Sequence, residues 1–318
     1  MSIELPPFDA LPLDKNGPPG NAWGLFGAAD QLGRLNLLTN ETVRLAASEQ
    51  IKIGQRVSLD WPLSKPVHPF FNRQIFYHHI QHKAPRTVND DVILFNTQCG
   101  TQWDGLRHFG YQDAKKFYNG VTQDEISSSE TLGINVWVEN GGVIGRGVLL
   151  DYGAWAARQG IAVDVFTKYG IPALHLQQLA DEEGITFRQG DILFIRSGFV
   201  AAYEALSATE EADMPARKNQ SFIGMESSQA SARWFWENGF AAVAGDMPGF
   251  EQSPIWTNEL QLHQWLLAGW GMPIGEMFYL EELAQVLKAQ GRHHFFLTSV
   301  PLKVPGGVAS PPNAMAIL

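Results

Sequence analysis

Short apolar runs recur along the chain and alternate with stretches whose apolar residues return every three or four positions. The first pattern predicts strands and the second predicts helices packed on them. Residues 56–61, 92–97, 143–150 and 191–196 read as strands, and Phe240 to Gly245 and Phe295 to Val300 add two more in the second half. Asn40 is placed to cap a helix running toward Ile51. Ala232, Phe235 and Trp236 stand at helical spacing within 226–238, and Asn238-Gly239 supplies a stop before the next strand. Residues 260–267 read as helical, and 280–289 form a further amphipathic helix ending at Gly291. Strands and helices that alternate in this way predict an α/β protein with a mixed sheet.

Neither a Pro/Gly/Ser-rich linker nor an internal repeat divides the chain, so residues 1–318 are expected to form a single domain. The longest polar stretch, 207–221, reads as a surface loop. Hydrophobic residues make up 45% and charged residues 18%, which excludes general disorder. The formal net charge of −10 and the scattered placement of Lys and Arg leave no basic stripe, so nucleic acid is not an expected partner. The N-terminus lacks a basic segment followed by an apolar run, and no stretch is long and apolar enough to span a bilayer. A cytoplasmic protein with no membrane association is expected. Its one cysteine, Cys99, rules out an internal disulfide and suits a reducing compartment.

The chemistry concentrates in Gln98-Cys99-Gly100-Thr101-Gln102-Trp103-Asp104-Gly105-Leu106-Arg107-His108. Gln98, Gly100, Gln102 and Asp104 share parity, so an extended chain would present them on one face, and a turn at Asp104-Gly105 would return His108 to the same pocket. A carboxylate, two amides and an imidazole beside Trp103 and Phe109 make a polar centre with aromatic walls. Cys99 alternates away and reads as a buried structural thiol. Gln and Asp on a strand ordinarily serve the hydrogen-bond ladder, and a lone His is ordinarily structural. The spacing by itself therefore leaves both readings open.

The stretch resembles the His-x-Gly-Thr-His-x-Asp-x-Pro-x-His signature of the cyclase-type metal-dependent amidohydrolases, the family of bacterial kynurenine formamidase and isatin hydrolase, with matches at Gly100, Thr101, Asp104 and His108. Similar agreement extends over Trp23-Gly24, residues 33–38, 190–198 and 241–246, His263, Glu276 and Pro301-Leu302-Lys303. The resemblance implies a swivelling β/β/α domain with a central mixed, partly barrel-like sheet flanked by helices, assembled as a homodimer or homotetramer. It implies hydrolysis of a small amide, formamide or lactone, with one divalent ion, Zn or Mn, on Asp104, His263 and Glu276, and with His108 moving protons. Asp246 and Glu251 stand as possible supports for the ligands or as solvated loop residues. His78-His79, His82 and His293-His294 are assigned to the surface or to a lid.

The departures carry as much weight as the matches. Gln98 and Gln102 occupy the positions of two metal-binding histidines, and Leu106 replaces the motif proline. An amide oxygen is a weaker, harder ligand than an imidazole nitrogen. Gln98 and Gln102 are therefore expected either to complete the metal shell weakly or, with Trp103, to contact substrate. Two alternatives stand beside the metal-assisted hydrolase: a metal-independent hydrolase or lyase using His108 and Asp104, and a non-catalytic small-ligand-binding descendant. The retained His108 disfavours the second, since binding alone needs no proton-transfer group.

Overall fold

The computed structural model describes residues 3–216, 220–255 and 260–318. In chain order the strands are β1 (Arg56–Ser58), β2 (Tyr77–His82), β3 (Asn89–Leu94), β4 (Gln102–Asp104), β5 (Gly145–Leu150), β6 (Gly170–Ile171) and β7 (Ile192–Ile195). They continue as β8 (Gly224–Met225), β9 (Ala242–Gly245), β10 (Ile274–Glu276), β11 (His294–Ser299), β12 (Ala309–Ser310) and β13 (Ala314–Ile317). The α-helices are α1 (Asn40–Gln50), α2 (Gln123–Ser128), α3 (Asn135–Glu139), α4 (Tyr152–Arg158), α5 (Ala173–Glu182), α6 (Phe199–Glu204), α7 (Ala208–Asp213), α8 (Gln229–Glu237) and α9 (Glu281–Gln290).

One nine-stranded sheet, ordered β1-β13-β11-β5-β7-β9-β10-β4-β12, organises the molecule. Its middle strands β5, β7, β9 and β10 are parallel, and the flanking strands add on antiparallel. Every residue of β5, β7 and β9 is buried, the continuous apolar pattern of strands covered on both faces. The sheet curls into a half-barrel flanked by helices, the mixed architecture expected of the swivelling β/β/α class. No helix among the described residues is long and apolar enough to cross a membrane.

Local chemistry sets the helix ends. Helix α9 stops at Gly291, whose φ of 60° is the left-handed conformation that suits glycine. Helix α1 is capped by Thr39, whose side chain accepts from the Thr42 amide, and the expected cap Asn40 is the first helical residue. Both residue types cap well; the one with extended backbone takes the role. The segment 260–267 is helical from Leu262 but passes into a π-helix at Gln264–Gly269, a widening frequent at functional sites.

Two expectations change. Residues 92–97 do not join the central sheet: β3 ends at Leu94 and pairs only with β2 in a hairpin exposed along its whole length. The polar stretch 207–221, expected as a loop, holds α7, for which Ser207 and Glu210 form a capping box; residues 217–219 of that stretch lie outside the described residues.

Gly275 allows β10 to lie close to its surroundings. A Cβ there would sit 2.6 Å from the Ala244 Cβ and 2.6 Å from a Phe278 ring carbon. Gly275→Ala is expected to lower the unfolding free energy by about 1–3 kcal/mol through overpacking. Urea denaturation checks this, and an unshifted midpoint would contradict the packing account.

Candidate active site

Strand β4 lies antiparallel to β10 with Gln102 opposite Glu276, Trp103 opposite Gly275 and Asp104 opposite Ile274. This alternation sends Gln102 and Asp104 to one face and Trp103 to the other. The turn before β4 is pinned by Thr101, whose hydroxyl donates to the Met277 carbonyl at 2.7 Å and accepts from the Trp61 amide at 2.8 Å. Gly100 is required there because a Cβ would meet the Lys65 carbonyl oxygen at 2.8 Å. Residues 98–101 are therefore a turn, not the extended run expected. The polar side chains converge all the same, because the turn folds Gln98 back over Asp104.

The glutamines present nitrogens, not oxygens, to the carboxylates. Gln98 Nε2 donates to Asp104 Oδ1 at 2.6 Å, and Gln102 Nε2 donates to Glu276 Oε2 at 2.6 Å and to Gln98 Oε1 at 2.8 Å. Turning either amide over would set an oxygen against a carboxylate oxygen, so charge holds their orientation. Gln98 Oε1 is thereby taken. Gln102 Oε1 stays buried without a partner.

His263 is the hub. Its Nδ1 lies 2.5 Å from Glu251 Oε1, and Glu251 also accepts from the backbone amides of His263 and Leu262 and from the Ser227 hydroxyl. That grip directs Nε2 toward Glu276 Oε1 at 3.2 Å and Asp104 Oδ2 at 3.7 Å. His108 Nε2 approaches the same Asp104 Oδ2 at 3.9 Å. Asp104 Oδ2 is buried and has no hydrogen-bond partner among the described residues. Phe250 and Met277, flanking Glu251 and Glu276, hold φ of 51° each, strained backbone of the kind that gathers at functional sites.

These contacts divide the protonation states. Burial opposes ionisation of Asp104, but His108 and His263 outweigh it and hold the carboxyl below its usual range. Burial and the adjacent Asp104 push Glu276 up to about 7. Burial also opposes a charge on His263, yet Asp104, Glu251 and Glu276 together hold it well above the ordinary imidazole value. For His108 burial prevails over Asp104, so its pKa falls. Burial thus favours the neutral, proton-accepting form of His108.

A cavity of about 170 Å³ opens over this centre, lined by His108, His263, Glu276, Glu251 and Arg73 and walled by Phe71, Phe109 and Ile255. Trp103, expected at the substrate, is fully buried away from the cavity. Its indole N–H donates to Ser299 Oγ at 2.9 Å and its ring packs edge-on to Phe278, because strand parity turns it into the core. Asp246 and Glu251 are buried, so solvation does not account for either. Asp246 accepts from the Ser197 amide and hydroxyl and the Gly198 amide, tying the ends of β7 and β9 together. Cys99 is buried and burial pushes its thiol up, as suits an inert residue. His78, His79 and His82 lie on the exposed hairpin.

The donor atoms of Asp104, His108 and His263 lie within 4.8 Å of one another. With the orphaned Asp104 Oδ2 at their centre and Glu276 beside His263, the residues fit a divalent cation. Gln98 and Gln102, considered as weak ligands, instead hold the carboxylates through their amide hydrogens. Sequence reasoning missed Arg73, which reaches the site through the fold and belongs to no local pattern.

The class defined by fold and site is a mixed α/β protein with a buried histidine–carboxylate centre. The sequence profile of the family described as Putative cyclase matches residues 51–252, and the chain belongs to that family. A crystal structure described as a novel cyclase is 30% identical, superposes with a TM-score of 0.82 and covers 94% of this chain and 99% of its own. Isatin hydrolase A from Labrenzia aggregata, bound to benzyl benzoate, is 15% identical with a TM-score of 0.59 over 87% of this chain and 97% of its own. An isatin hydrolase bound to the product analogue thioisatinate is 14% identical with a TM-score of 0.59 over 89% and 98% of the respective chains. These last two share the fold. No curated protein matches the chain.

Trp103→Phe is expected to lower the unfolding free energy by about 1–3 kcal/mol, from the lost hydrogen bond and buried volume, and to leave small-ligand affinity unchanged. Denaturation and calorimetry on the same preparation check both halves. Weakened ligand binding without lost stability would return Trp103 to the substrate.

Proposed function

We propose that the chain is a metal-assisted hydrolase of small amides, formamides or lactones. The observation that carries this reading is the His108 imidazole, which faces the cavity beside the unpartnered Asp104 Oδ2 and the Glu251-held His263. Asp104, His263 and Glu276 would hold the ion, and His108, which lies within ligand reach of the same centre and lines the cavity, is assigned to proton transfer. When bound, a divalent ion supplies Lewis acidity toward the scissile carbonyl and toward water. With an ion bound, Glu251 would keep the one His263 proton on Nδ1 and leave Nε2 as the ligand atom. His108 takes a proton from the attacking water and returns it to the leaving nitrogen or oxygen. Phe71 and Phe109 exclude bulk water and favour a flat or apolar substrate.

One observation favours a second reading, a metal-independent enzyme. The amide hydrogens of Gln98 and Gln102 already bond Asp104 and Glu276, and His263 supplies a positive charge between them. In that reading His108 and Asp104 act as the acid/base pair without an ion.

The comparison is direct: formamides, cyclic amides and lactones are assayed with purified protein, with chelated protein, and after addition of Mn²⁺ or Zn²⁺. Activity abolished by chelation and restored by metal is expected; full activity in metal-free protein would select the second reading. His108→Ala should retain its metal and lose turnover by roughly 10²–10⁴-fold. Loss of the metal in that variant would make His108 a ligand in place of Glu276.

We further propose that the protein is a homodimer, with the β2–β3 hairpin packed on the second copy. Tyr77, Ile80, Val92, Ile93 and Leu94 are 47–61% exposed along a two-stranded ribbon, an arrangement that is marginal in water unless something covers it. Sedimentation at micromolar concentration should give the mass of two chains, and the double substitution Ile80→Asp and Val92→Asp should give the mass of one. A monomeric wild type would refute this.

A further inference from the structure

The cavity carries one cation used by neither the ion site nor the proton path. Arg73 lines it with His108 and Glu276. Its Nη1 donates to the Gln98 carbonyl at 2.5 Å, and its guanidinium lies 5.0 Å from the centre of the Phe71 ring. Among the described residues its only side-chain hydrogen bond is the one to Gln98 and it forms no ion pair with a carboxylate, which leaves N–H groups able to meet an acceptor brought in from outside. The backbone that delivers it is specialised. Phe70 is buried against Phe199, Tyr203 and Phe222, and Phe71 and Asn72 then adopt left-handed φ of 57° and 56°. Neither residue is glycine, and for Phe71 the left-handed region is one that a bulky side chain rarely adopts.

The cavity therefore carries charges of both signs. Glu251 and Glu276 line it, with Asp104 buried behind His108 and His263, and the Arg73 guanidinium, held by the motif's own backbone, lines it as well. A small anion is repelled by the carboxylates and bound by the guanidinium, and the planar fork of arginine matches a carboxylate in two parallel hydrogen bonds. We propose that Arg73 determines specificity by binding a carboxylate of the substrate that is separate from the scissile bond. The preferred substrates are then small aromatic or apolar amides or lactones bearing a free carboxylate, with the neutral carbonyl turned toward His108 and Asp104. This rests on the hydrolase reading for the reaction but not for the binding.

Benzoate and benzamide, which share shape and differ in charge, serve as probes in titration calorimetry. Wild type is expected to bind benzoate roughly ten-fold or more tightly than benzamide, and Arg73→Gln should lose roughly ten- to hundred-fold of benzoate affinity while benzamide changes little. Arg73→Lys should lie between them, since it keeps the charge without the fork. Thermal melts confirm that the variants are folded; if the glutamine variant is not, the lysine variant decides by the same benzoate-to-benzamide ratio. Equal affinity of wild type for the two probes, no binding of either, or benzoate binding unchanged in Arg73→Gln would overturn the assignment. In parallel, carboxylate-bearing amides are assayed against their methyl esters. Arg73-dependent benzoate binding without turnover of any amide overturns the hydrolase reading alone, whereas turnover with Arg73-independent benzoate binding overturns this inference alone.

Discussion

Three carboxylates, Asp104, Glu251 and Glu276, are buried around one imidazole, His263. Burying a carboxylate without compensation is prohibitively costly, so the surrounding structure is arranged to supply positive charge and hydrogen-bond donors to that point. Backbone amides at Leu262 and His263 and the Ser227 hydroxyl take up part of Glu251. Amide hydrogens of Gln98 and Gln102 take up parts of Asp104 and Glu276. One oxygen, Asp104 Oδ2, is left over and faces both histidines.

The glutamines change the character of this centre without dismantling it. A histidine offers a lone pair to a cation, whereas each glutamine here offers N–H groups to a carboxylate. The two positions thus turn from ligands into clamps that fix the rotamers of Asp104 and Glu276. Orientation of the remaining ligands is half of what makes a metal site work.

The sheet provides the rigidity such a centre needs. Strands β9 and β10 are parallel neighbours in the sheet; the chain after β9 carries Glu251, and Glu276 is the last residue of β10. Strand β4 adds beside β10 in the register that opposes Gln102 to Glu276, with Trp103 packed behind as a buried anchor. Gly275 allows the strands and rings to close up, and the left-handed residues Phe250 and Met277 redirect the chain just where the acids must point inward.

The α/β class, the core strands within 143–150, 191–196 and 240–245, the helix stops at Gly239 and Gly291 and the motif 98–108 were legible in the amino-acid sequence, because apolar periodicity and glycine stops act over a few neighbouring positions. The pairing of Asp104 with His263 and Glu276 was legible only through family resemblance. The tertiary structure alone decided the rest. Parity turns Trp103 away from Gln102 and Asp104, as it does Cys99, but that the cavity lies only on the glutamine face of β4 is decided by the fold. Parity could not foresee that 98–101 form a turn, because the Thr101 contacts that pin it reach Trp61 and Met277. The hairpin at 92–94 has the apolar residues of a core strand, and only the fold leaves it uncovered. Arg73 and Glu251 act across 25 and 12 residues of chain, respectively. Contacts of that separation leave no periodic trace, because what joins the two residues is the path of the chain and not the spacing between them.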